Sequence, residues 1–332
     1  MEFLTFTAGS GDNSRRLDKV LKVIFKDSQG VGIHQALRKK LITLNGKKSD
    51  GSDKVCEGDK ISIAAFLLEE AEKNSVDAKT ENTEHDSSEK DRPEVVFSNK
   101  HILVINKPRG ISVQSSSPGE KSLAGIVSSL YRGEGDSSLS FRTAPLHRLD
   151  RNTTGLLAFS QSILGAHWFS ENIKIHTIKK NYVGIIQGRL SRTEEWHDSI
   201  DTSPSETGGG FKTVRIAKGF TEAVTTARPL AYGTYRGNDV TLSQFDILTG
   251  KKHQIRCQSS HHGHPLLGDS AYGGRKLFLD DGSASFFLHA SRLSFPKDNP
   301  LGLPDELTAP LPAEFEKFIS FSLINWDGQL II

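Results

Sequence analysis

The sequence has few cysteines and no long apolar run. Its 332 residues include two cysteines, Cys56 and Cys257, which lie far apart. Two distant thiols do not form a disulfide framework, so we expect a protein of the reducing cytoplasm. No stretch of about 18 apolar residues occurs, so the sequence predicts no membrane-spanning helix and no membrane partner.

Net charge is nearly absent, but charges are separated along the chain. The formal charge is +2. Ten lysines and arginines accompany two acids between Arg15 and Lys48, whereas ten acids accompany four bases between Glu69 and Glu94. A basic segment followed by an acidic one indicates that only the first contacts an anionic partner.

The basic segment has the pattern of a small folded unit, which we place at residues 14–66. Apolar residues at helical spacing begin after Ser14, a residue type that caps helices, and continue to Phe25. A second helix is expected over Ile33–Leu41, a tight turn at Asn45-Gly46, and a closing strand over residues 58–63.

This order of elements resembles the small αL RNA-binding domain of the ribosomal-protein S-four type. The resemblance rests on residues 16–21, on the basic second helix, and on residues 42–47 followed by Gly58-Asp59. Basic side chains on such a unit favour contacts with RNA phosphates. The residues expected to make them are Arg15, Arg16, Lys19, Arg38, Lys39, Lys40 and Lys47.

Residues 67–92 have the composition of a disordered linker. Glu, Asp, Ser, Asn and Lys dominate, and Val76 is the one large apolar residue between Glu69 and Arg92. Such a segment buries too little apolar surface to fold alone. We expect it to separate the first unit from a second one at 93–325.

Residues 93–325 predict an α+β domain with a large, mostly antiparallel sheet. Strands are expected over 95–97, 102–105, 155–159, 182–186, 224–230, 239–248 and 288–295, and helices over 122–132, 161–171, 253–262 and 313–319. The Ser/Thr/Gly-rich stretch 203–210 predicts a mobile surface loop.

Four polar segments of this domain carry residues suited to chemistry. In His147-Arg148-Leu149-Asp150-Arg151, a carboxylate among cations stays ionised. Gly250–Arg256 opens a helix with two lysines and an arginine, which makes a cationic site. Lys179–Tyr182 and Asn106–Gly110 add further bases beside a tyrosine and a tight turn. The residues alone leave open whether the first segment is a surface ion-pair cluster or holds a reactive carboxylate.

Together these segments resemble the pseudouridine synthase family, in particular the ribosomal large-subunit enzymes of the A, C and D types, with the C type closest in domain layout. The family's motifs correspond to His147–Leu157, Lys107–Gly110, Lys180–Tyr182, Gly250–Arg256, residues 263–273 and residues 288–290. The sequence departs at Gln114, where a histidine is usual, at Cys257-Gln258 in place of Val-His, and at Thr154 in place of serine.

The resemblance implies isomerisation of uridine to pseudouridine in a structured RNA. The S-four-type unit favours large-subunit ribosomal RNA over transfer RNA. The resemblance also implies that Asp150 is the catalytic carboxylate, that Arg256 pairs with it, and that Tyr182 stacks on the detached uracil. It further implies that Arg148 and His147 take part in base flipping and that Leu288 forms the wall opposite Tyr182. Lys107 and Lys251 are expected to make further RNA contacts.

This reaction breaks the N1–C1′ bond and forms a C5–C1′ bond without oxidation or loss of a group. We therefore expect no cofactor, no metal and no small-molecule substrate, and we expect a monomer. Asp150 would either add to C1′ or remove the C2′ proton, and the sequence leaves both routes open.

Two rival interpretations remain. The first is a non-catalytic RNA-binding factor of ribosome assembly, which the basic unit alone supports. The second is a zinc hydrolase, because His253, Cys257 and His261 recur every four residues on one helix face. The Arg-Leu-Asp tripeptide also occurs twice, and we interpret Asp18 of the first copy as a helix-terminal charge.

Overall fold

A computed structural model of the chain describes residues 1–25, 32–71, 92–115, 117, 119–131, 138–207, 211–279, 282 and 285–322. Within these ranges the chain forms two units, each with its own sheet and apolar core. No helix in the described ranges is long and apolar enough to cross a membrane.

The N-terminal unit combines short helices with two small sheets. Its elements are β1 (Phe3–Thr7), β2 (Arg15–Arg16), α1 (Leu17–Ile24), α2 (Ile33–Arg38), β3 (Ile42–Leu44), β4 (Lys54–Val55), β5 (Lys60–Ala64) and α3 (residues 65–71). The three-stranded sheet has the order β1-β5-β3, and β2 pairs with β4. The predicted turn is present, since Asn45 and Gly46 both have left-handed φ values of 50° and 71°.

The first helix begins later than the sequence predicted. Ser14 was expected as its cap, but Arg16 is the residue before the helix. The reason is that Arg15 and Arg16 pair with β4, which keeps the backbone extended up to Leu17.

The N-terminal unit extends past both predicted boundaries of 14–66. Strand β1 pairs with β5 along its whole length, from Phe3 opposite Ala64 to Thr7 opposite Lys60. At the other end, α3 places Leu67 and Ala71 in the core of the unit. The remainder of the predicted linker, residues 72–91, lies outside the described residues.

The second unit is built on one large sheet. Its strands are β6 (Glu94–Ser98), β7 (Ile102–Lys107), β8 (Ala144–Pro145), β9 (Thr154–Ser160), β10 (Lys179–Gln187), β11 (Glu194–Thr207), β12 (Phe211–Ile216), β13 (Thr221–Tyr235), β14 (Asn238–Ile247), β15 (Leu288–Ser294) and β16 (Glu306–Thr308). The main order is β12-β11-β13-β14-β10-β15-β9-β7-β6, with β16 beside β15 and β8 beside β9. Only β15 and β9 pair in parallel among the described strands. The predicted α+β, mostly antiparallel architecture is confirmed.

Helices cover the sheet at the expected positions. They are α4 (Leu123–Leu130), α5 (Ile163–Lys174), α6 (Gln254–His261) and α7 (Ala313–Phe321). The predicted loop at 203–210 is wrong over residues 203–207, because β11 continues to Thr207 and pairs there with β12. Serine and threonine are compatible with strands when a neighbouring strand completes the hydrogen bonds. Residues 208–210 lie outside the described residues.

The two units contact each other through the buried carboxylate of Asp12. It accepts hydrogen bonds from Ser138 Oγ at 2.8 Å and from the backbone N–H groups of Leu139 and Ser140 at 2.8 and 3.0 Å. Arg15 Nη1 also donates to the Ser140 carbonyl at 2.9 Å. Burial opposes ionisation of Asp12, but the hydrogen bonds outweigh it and hold the pKa of Asp12 below its ordinary value. The contact is therefore made by a charged group.

Candidate active site

The strand order brings the predicted catalytic residues together at the centre of the large sheet. Asp150 lies in the turn that leads into β9, Tyr182 is on β10 and Leu288 begins β15. Because β10, β15 and β9 are consecutive neighbours in the sheet, these three positions converge. Arg256, on α6, completes the group because its guanidinium reaches Asp150.

Asp150 is a partly buried carboxylate with two cationic or protonatable neighbours. Its side chain is 16% exposed, and Arg256 Nη1 lies 3.1 Å from its Oδ2. His253 Nε2 lies 3.7 Å from its other oxygen, Oδ1. Burial lowers the pKa of His253 to about 4, although the charge of Asp150 opposes this effect. Arg256 therefore supplies the fixed positive charge beside Asp150.

Arg256 is held by a second carboxylate, that of Asp269. Its Nε and Nη2 donate to the two oxygens of Asp269 at 2.7 and 2.9 Å, which is a bidentate pair. The guanidinium also lies over the rings of Tyr272 and Phe286, at 5.0 and 4.6 Å from their centres. Burial favours the neutral form, but Asp269 and then Asp150 raise the pKa of Arg256 above its ordinary value. Arg256 thus presents its remaining nitrogen to Asp150 in a fixed geometry.

No role was predicted for Asp269, although it lies in the motif segment 263–273. The structure shows why a glycine precedes this aspartate. Gly268 has a φ of 93°, and a β-carbon there would lie 1.9 Å from the Ser285 carbonyl oxygen. Only glycine fits this close approach, so the Gly-Asp order was the signal available in the sequence.

The structure contradicts the prediction that Lys107 binds RNA. Its side chain is fully buried, and Nζ donates to the carbonyl oxygens of Pro108, Arg151 and Thr153 at 2.9, 2.9 and 2.8 Å. Burial lowers the pKa of Lys107 to about 7, with the charge of Asp150 acting in the opposite direction. Lys107 therefore holds together the turn that carries Asp150. The prediction was wrong because the sequence reveals the charge of Lys107 but not its burial.

Replacing Lys107 by methionine is expected to destabilise the protein by about 3 kcal/mol. Three buried carbonyl groups lose their donor, and each unsatisfied buried group costs about 1–3 kcal/mol, offset partly by the lost desolvation of the amine. Urea unfolding would measure the change. Lys100→Met, at an exposed position in the β6–β7 turn, is the matched control and should leave stability unchanged. Equal stability of both variants would contradict this structural role.

The ring of His147 is engaged within the protein. Its Nε2 accepts a hydrogen bond from the Ala158 backbone at 3.1 Å, and its ring stacks on Phe169 with centroids 6.0 Å apart. Burial, with the nearby charge of Lys180, lowers the pKa of His147 to about 3, so the ring is neutral. These contacts do not support the predicted part in base flipping, because the ring is turned into the protein by the β9 backbone.

Arg148, by contrast, is exposed between two cavities that both reach Asp150. The front cavity has a volume of about 810 Å³ and is lined by Arg109, Gln114, Arg148, Asp150, His253, Arg256 and neighbouring residues. The lysine cavity has a volume of about 410 Å³ and is lined by Arg148, Asp150, Lys174, Lys180, Lys251, Lys252 and neighbouring residues. Arg148 and Asp150 are therefore the residues that a ligand crossing from one cavity to the other would meet.

Tyr182 and Leu288 are buried beside Asp150 and line the same narrow cleft. The β10–β15 register places Tyr182 opposite Ala290 and Gly184 opposite Leu288. Burial, and then the charge of Asp150, raises the pKa of Tyr182 above its ordinary value, so the phenol stays protonated. The side chain thus offers a flat apolar face and a hydroxyl donor to the cleft.

The residues that depart from the family pattern have structural surroundings. Gln258 Nε2 donates to Asp198 at 2.7 Å, and its Oε1 accepts from the Thr225 hydroxyl at 2.7 Å. Cys257 is buried against Val214, away from Asp150, and burial raises its pKa to about 11. Thr154 bonds to His289 at 2.8 Å. These three positions do not reach the cleft, whereas Gln114 lines the front cavity.

The three residues that suggested zinc have separate partners. His253 Nδ1 lies 2.8 Å from the Tyr272 hydroxyl, Cys257 Sγ lies 3.6 Å from the Val214 carbonyl, and His261 Nε2 lies 3.9 Å from Asp198. Among the residues that the structure describes, no group of three such side chains is placed to hold a metal ion.

The residues of the N-terminal unit that were predicted to contact RNA fall into two sets. Two have partners within the protein: Arg15 binds Ser140, and Arg16 pairs with Asp18 at 2.9 Å, which also accounts for the first Arg-Leu-Asp copy. The others are exposed and are Lys19, Arg38, Lys39, Lys40 and Lys47. Lys251 is half-buried and belongs to the lysine cavity.

Residues 101–261 match the family of RNA pseudouridylate synthases. The solved structure described as human RNA Pseudouridylate Synthase Domain Containing 4 has the same fold, with a TM-score of 0.54 and 21% identity over 70% of this chain and 94% of that one. The matched residues include Asp150 and Arg256 at the centre of the site. The chain belongs to the RNA pseudouridine synthases, which are isomerases that act on RNA.

Two relatives match nearly the whole chain. The uncharacterized RNA pseudouridine synthase YlyB of Bacillus subtilis is 26% identical over 96% of this chain and 98% of its own length. Ribosomal large subunit pseudouridine synthase C of Rickettsia bellii is 29% identical over 91% of this chain and 96% of its own. The predicted enzyme class is thereby confirmed, and the non-catalytic rival is not supported.

Proposed function

We propose that this RNA pseudouridine synthase modifies uridine in large-subunit ribosomal RNA, and that Asp150 is its catalytic carboxylate. The observation that carries the catalytic assignment is the Asp150–Arg256–Asp269 arrangement between two cavities. Support for the RNA target comes from relatives named as ribosomal large-subunit synthases and from the exposed bases of the N-terminal unit. We assign that unit, including residues 14–66, to the S-four type.

Asp150 acts on the sugar of the target nucleotide. Breaking the N1–C1′ bond leaves positive charge at C1′, which an ionised carboxylate stabilises by addition or relieves by taking the C2′ proton. Arg256 holds one carboxylate oxygen at 3.1 Å and leaves the other, Oδ1, facing His253 at 3.7 Å. Oδ1 is therefore the oxygen available to the sugar.

The target uridine reaches Asp150 by leaving its stack. A base inside a helix is inaccessible, so enzymes that react at a nucleotide extrude it. Arg148 lies two residues before Asp150 and is exposed, and its planar cation suits stacking on the bases that remain. The flipped uracil then lies between Tyr182 and Leu288.

Tyr182→Phe should keep most of the activity, whereas Tyr182→Ala should lose roughly 10- to 100-fold in kcat/KM. Base stacking on an aromatic ring contributes about 1–3 kcal/mol, and phenylalanine retains the ring. Steady-state kinetics on an RNA fragment would measure both variants. Tyr235→Ala removes a partly buried ring that packs on Phe318, and it tests whether losing any packed ring has the same effect. Equal losses for Phe and Ala at position 182 would assign the role to the hydroxyl instead.

Mapping pseudouridines in all cellular RNA from a deletion strain tests the RNA target. We expect one or more sites to disappear from large-subunit ribosomal RNA and to return with the wild-type gene but not with Asp150→Ala. Sites that disappear only from transfer RNA would contradict the ribosomal target while leaving the enzyme class intact.

A further inference from the structure

Lys180 carries a buried amine without a partner. The side chain lies on β10, two residues before Tyr182, and is 7% exposed. Within the described part of the chain, no carboxylate, carbonyl or hydroxyl forms a hydrogen bond or ion pair with its Nζ. Lys107 is buried to a similar extent but donates to three carbonyl oxygens. A buried ammonium group without acceptors is unfavourable, so an anion that is not part of the protein would stabilise the charged form of Lys180.

The amine of Lys180 faces the lysine cavity. Its Nζ lies 3.1 Å from the position that a β-carbon on Gly250 would occupy, so the absent side chain at Gly250 leaves room beside the amine. Gly250 and the two lysines that follow it line the cavity together with Lys180. The amine is therefore buried by the protein on one side and open to this space on the other.

The cavity is strongly cationic. Arg148, Lys174, Lys180, Lys251 and Lys252 line it, and Asp150 is the one carboxylate among the described lining residues. Lys174 also reaches Glu171 at 3.5 Å on the surface. Lys251 and Lys252 have no ion-pair partner in the described ranges. Burial lowers the pKa of Lys180 to about 8, and a bound anion would favour its charged form.

We propose that the lysine cavity binds one phosphodiester group of the RNA next to the target uridine, with Lys180 as its innermost ligand. This inference rests on the proposed action of Asp150 on a flipped nucleotide. Asp150 and Tyr182 line the same cavity, so a phosphate held there belongs to the target nucleotide or its neighbour. Fixing that phosphate sets the position of the sugar relative to Asp150, which a stacked uracil alone does not do. Lys180 is thus a positioning residue.

Single neutral linkages in the RNA provide the test. A series of short substrate RNAs carries one methylphosphonate at each linkage around the target, each compared with the same RNA carrying the ordinary charged linkage. For the wild type, one linkage adjacent to the target should raise KM roughly 10- to 100-fold, as expected for a lost hydrogen bond between charged groups. For Lys180→Met, KM should already be raised, and neutralising that same linkage should add nothing.

Three further variants make the result decisive. Lys180→Arg should restore part of the linkage-specific rise in KM, and Lys100→Met should behave as wild type. For Lys251→Met, KM should depend on the charge of the same linkage, which gives a second measurement if Lys180→Met folds poorly. The proposal is overturned if Lys180→Met lowers kcat alone, or if its loss is equal whichever linkage is neutral. The RNA is chosen from the mapped sites, so a failure of the ribosomal target changes the oligonucleotide and leaves this test intact.

Discussion

Replacing Asp150 by alanine is expected to abolish pseudouridine formation, with a loss in kcat of at least about 10⁴-fold. The carboxylate is the one acidic group that faces both cavities among the described residues, and no neighbour replaces it at C1′. RNA affinity should not weaken, because the substitution removes a negative charge from a cationic cleft. Single-turnover rates and equilibrium binding on the same RNA fragment separate these two effects.

Asp18→Ala is the matched control for this experiment. It alters the first Arg-Leu-Asp copy, whose carboxylate pairs with Arg16 in the N-terminal unit. The control should retain wild-type turnover. An Asp150→Ala enzyme that works within tenfold of the wild type would remove Asp150 from the chemistry.

Arg256→Lys should reduce kcat by roughly 10²- to 10³-fold although the positive charge is kept. The guanidinium binds Asp269 with two nitrogens and Asp150 with a third, and an ammonium group cannot reproduce this planar arrangement. Asp269 is 2% exposed, so a weakened pair should also lower the free energy of unfolding by about 3 kcal/mol. Turnover assays and urea unfolding measure the two losses.

Two companion variants show which contact matters. Asp269→Asn should lose activity as well, because it loosens Arg256 without touching Asp150. Arg215→Lys changes an arginine that pairs with Asp201 at 3.1 Å away from the site, and it should remain active. Near-normal rates for Arg256→Lys would mean that the residue supplies positive charge and not geometry.

The residues of the proposed site were predictable because local motifs carry them. Asp150, Tyr182, Leu288 and Arg256 each stand in a short segment with a characteristic order of residues, and the strand order brings them together. The roles of Asp269 and Lys107 were not predictable in this way. The role of Asp269 depends on how α6 approaches residues 268–269, and the role of Lys107 depends on burial of its amine beneath a turn. Neither burial nor such an approach is written in residue type or spacing.

The same contrast holds for the fold. Strands and helices of the second unit follow from apolar patterns of local sequence, and most were predicted. The start of the first unit was not, because β1 is defined by pairing with β5, more than fifty residues later. The stretch 203–207 has the composition of a loop, and only its partner strand makes it extended. Long-range pairing thus decides the boundaries that composition does not.

The contact of Asp12 with residues 138–140 bears on how far the two units are interchangeable modules. With a flexible tether alone, a second RNA contact would depend on effective concentration, which the length of the connecting segment sets. Here Asp12 and Arg15 fix the N-terminal unit to the catalytic one, and Leu139 packs against its core. A chimera that exchanges the N-terminal unit without residues 138–140 would lose the hydrogen bonds between Asp12 and these residues. The two units are therefore held at a fixed spacing by side chains from both of them.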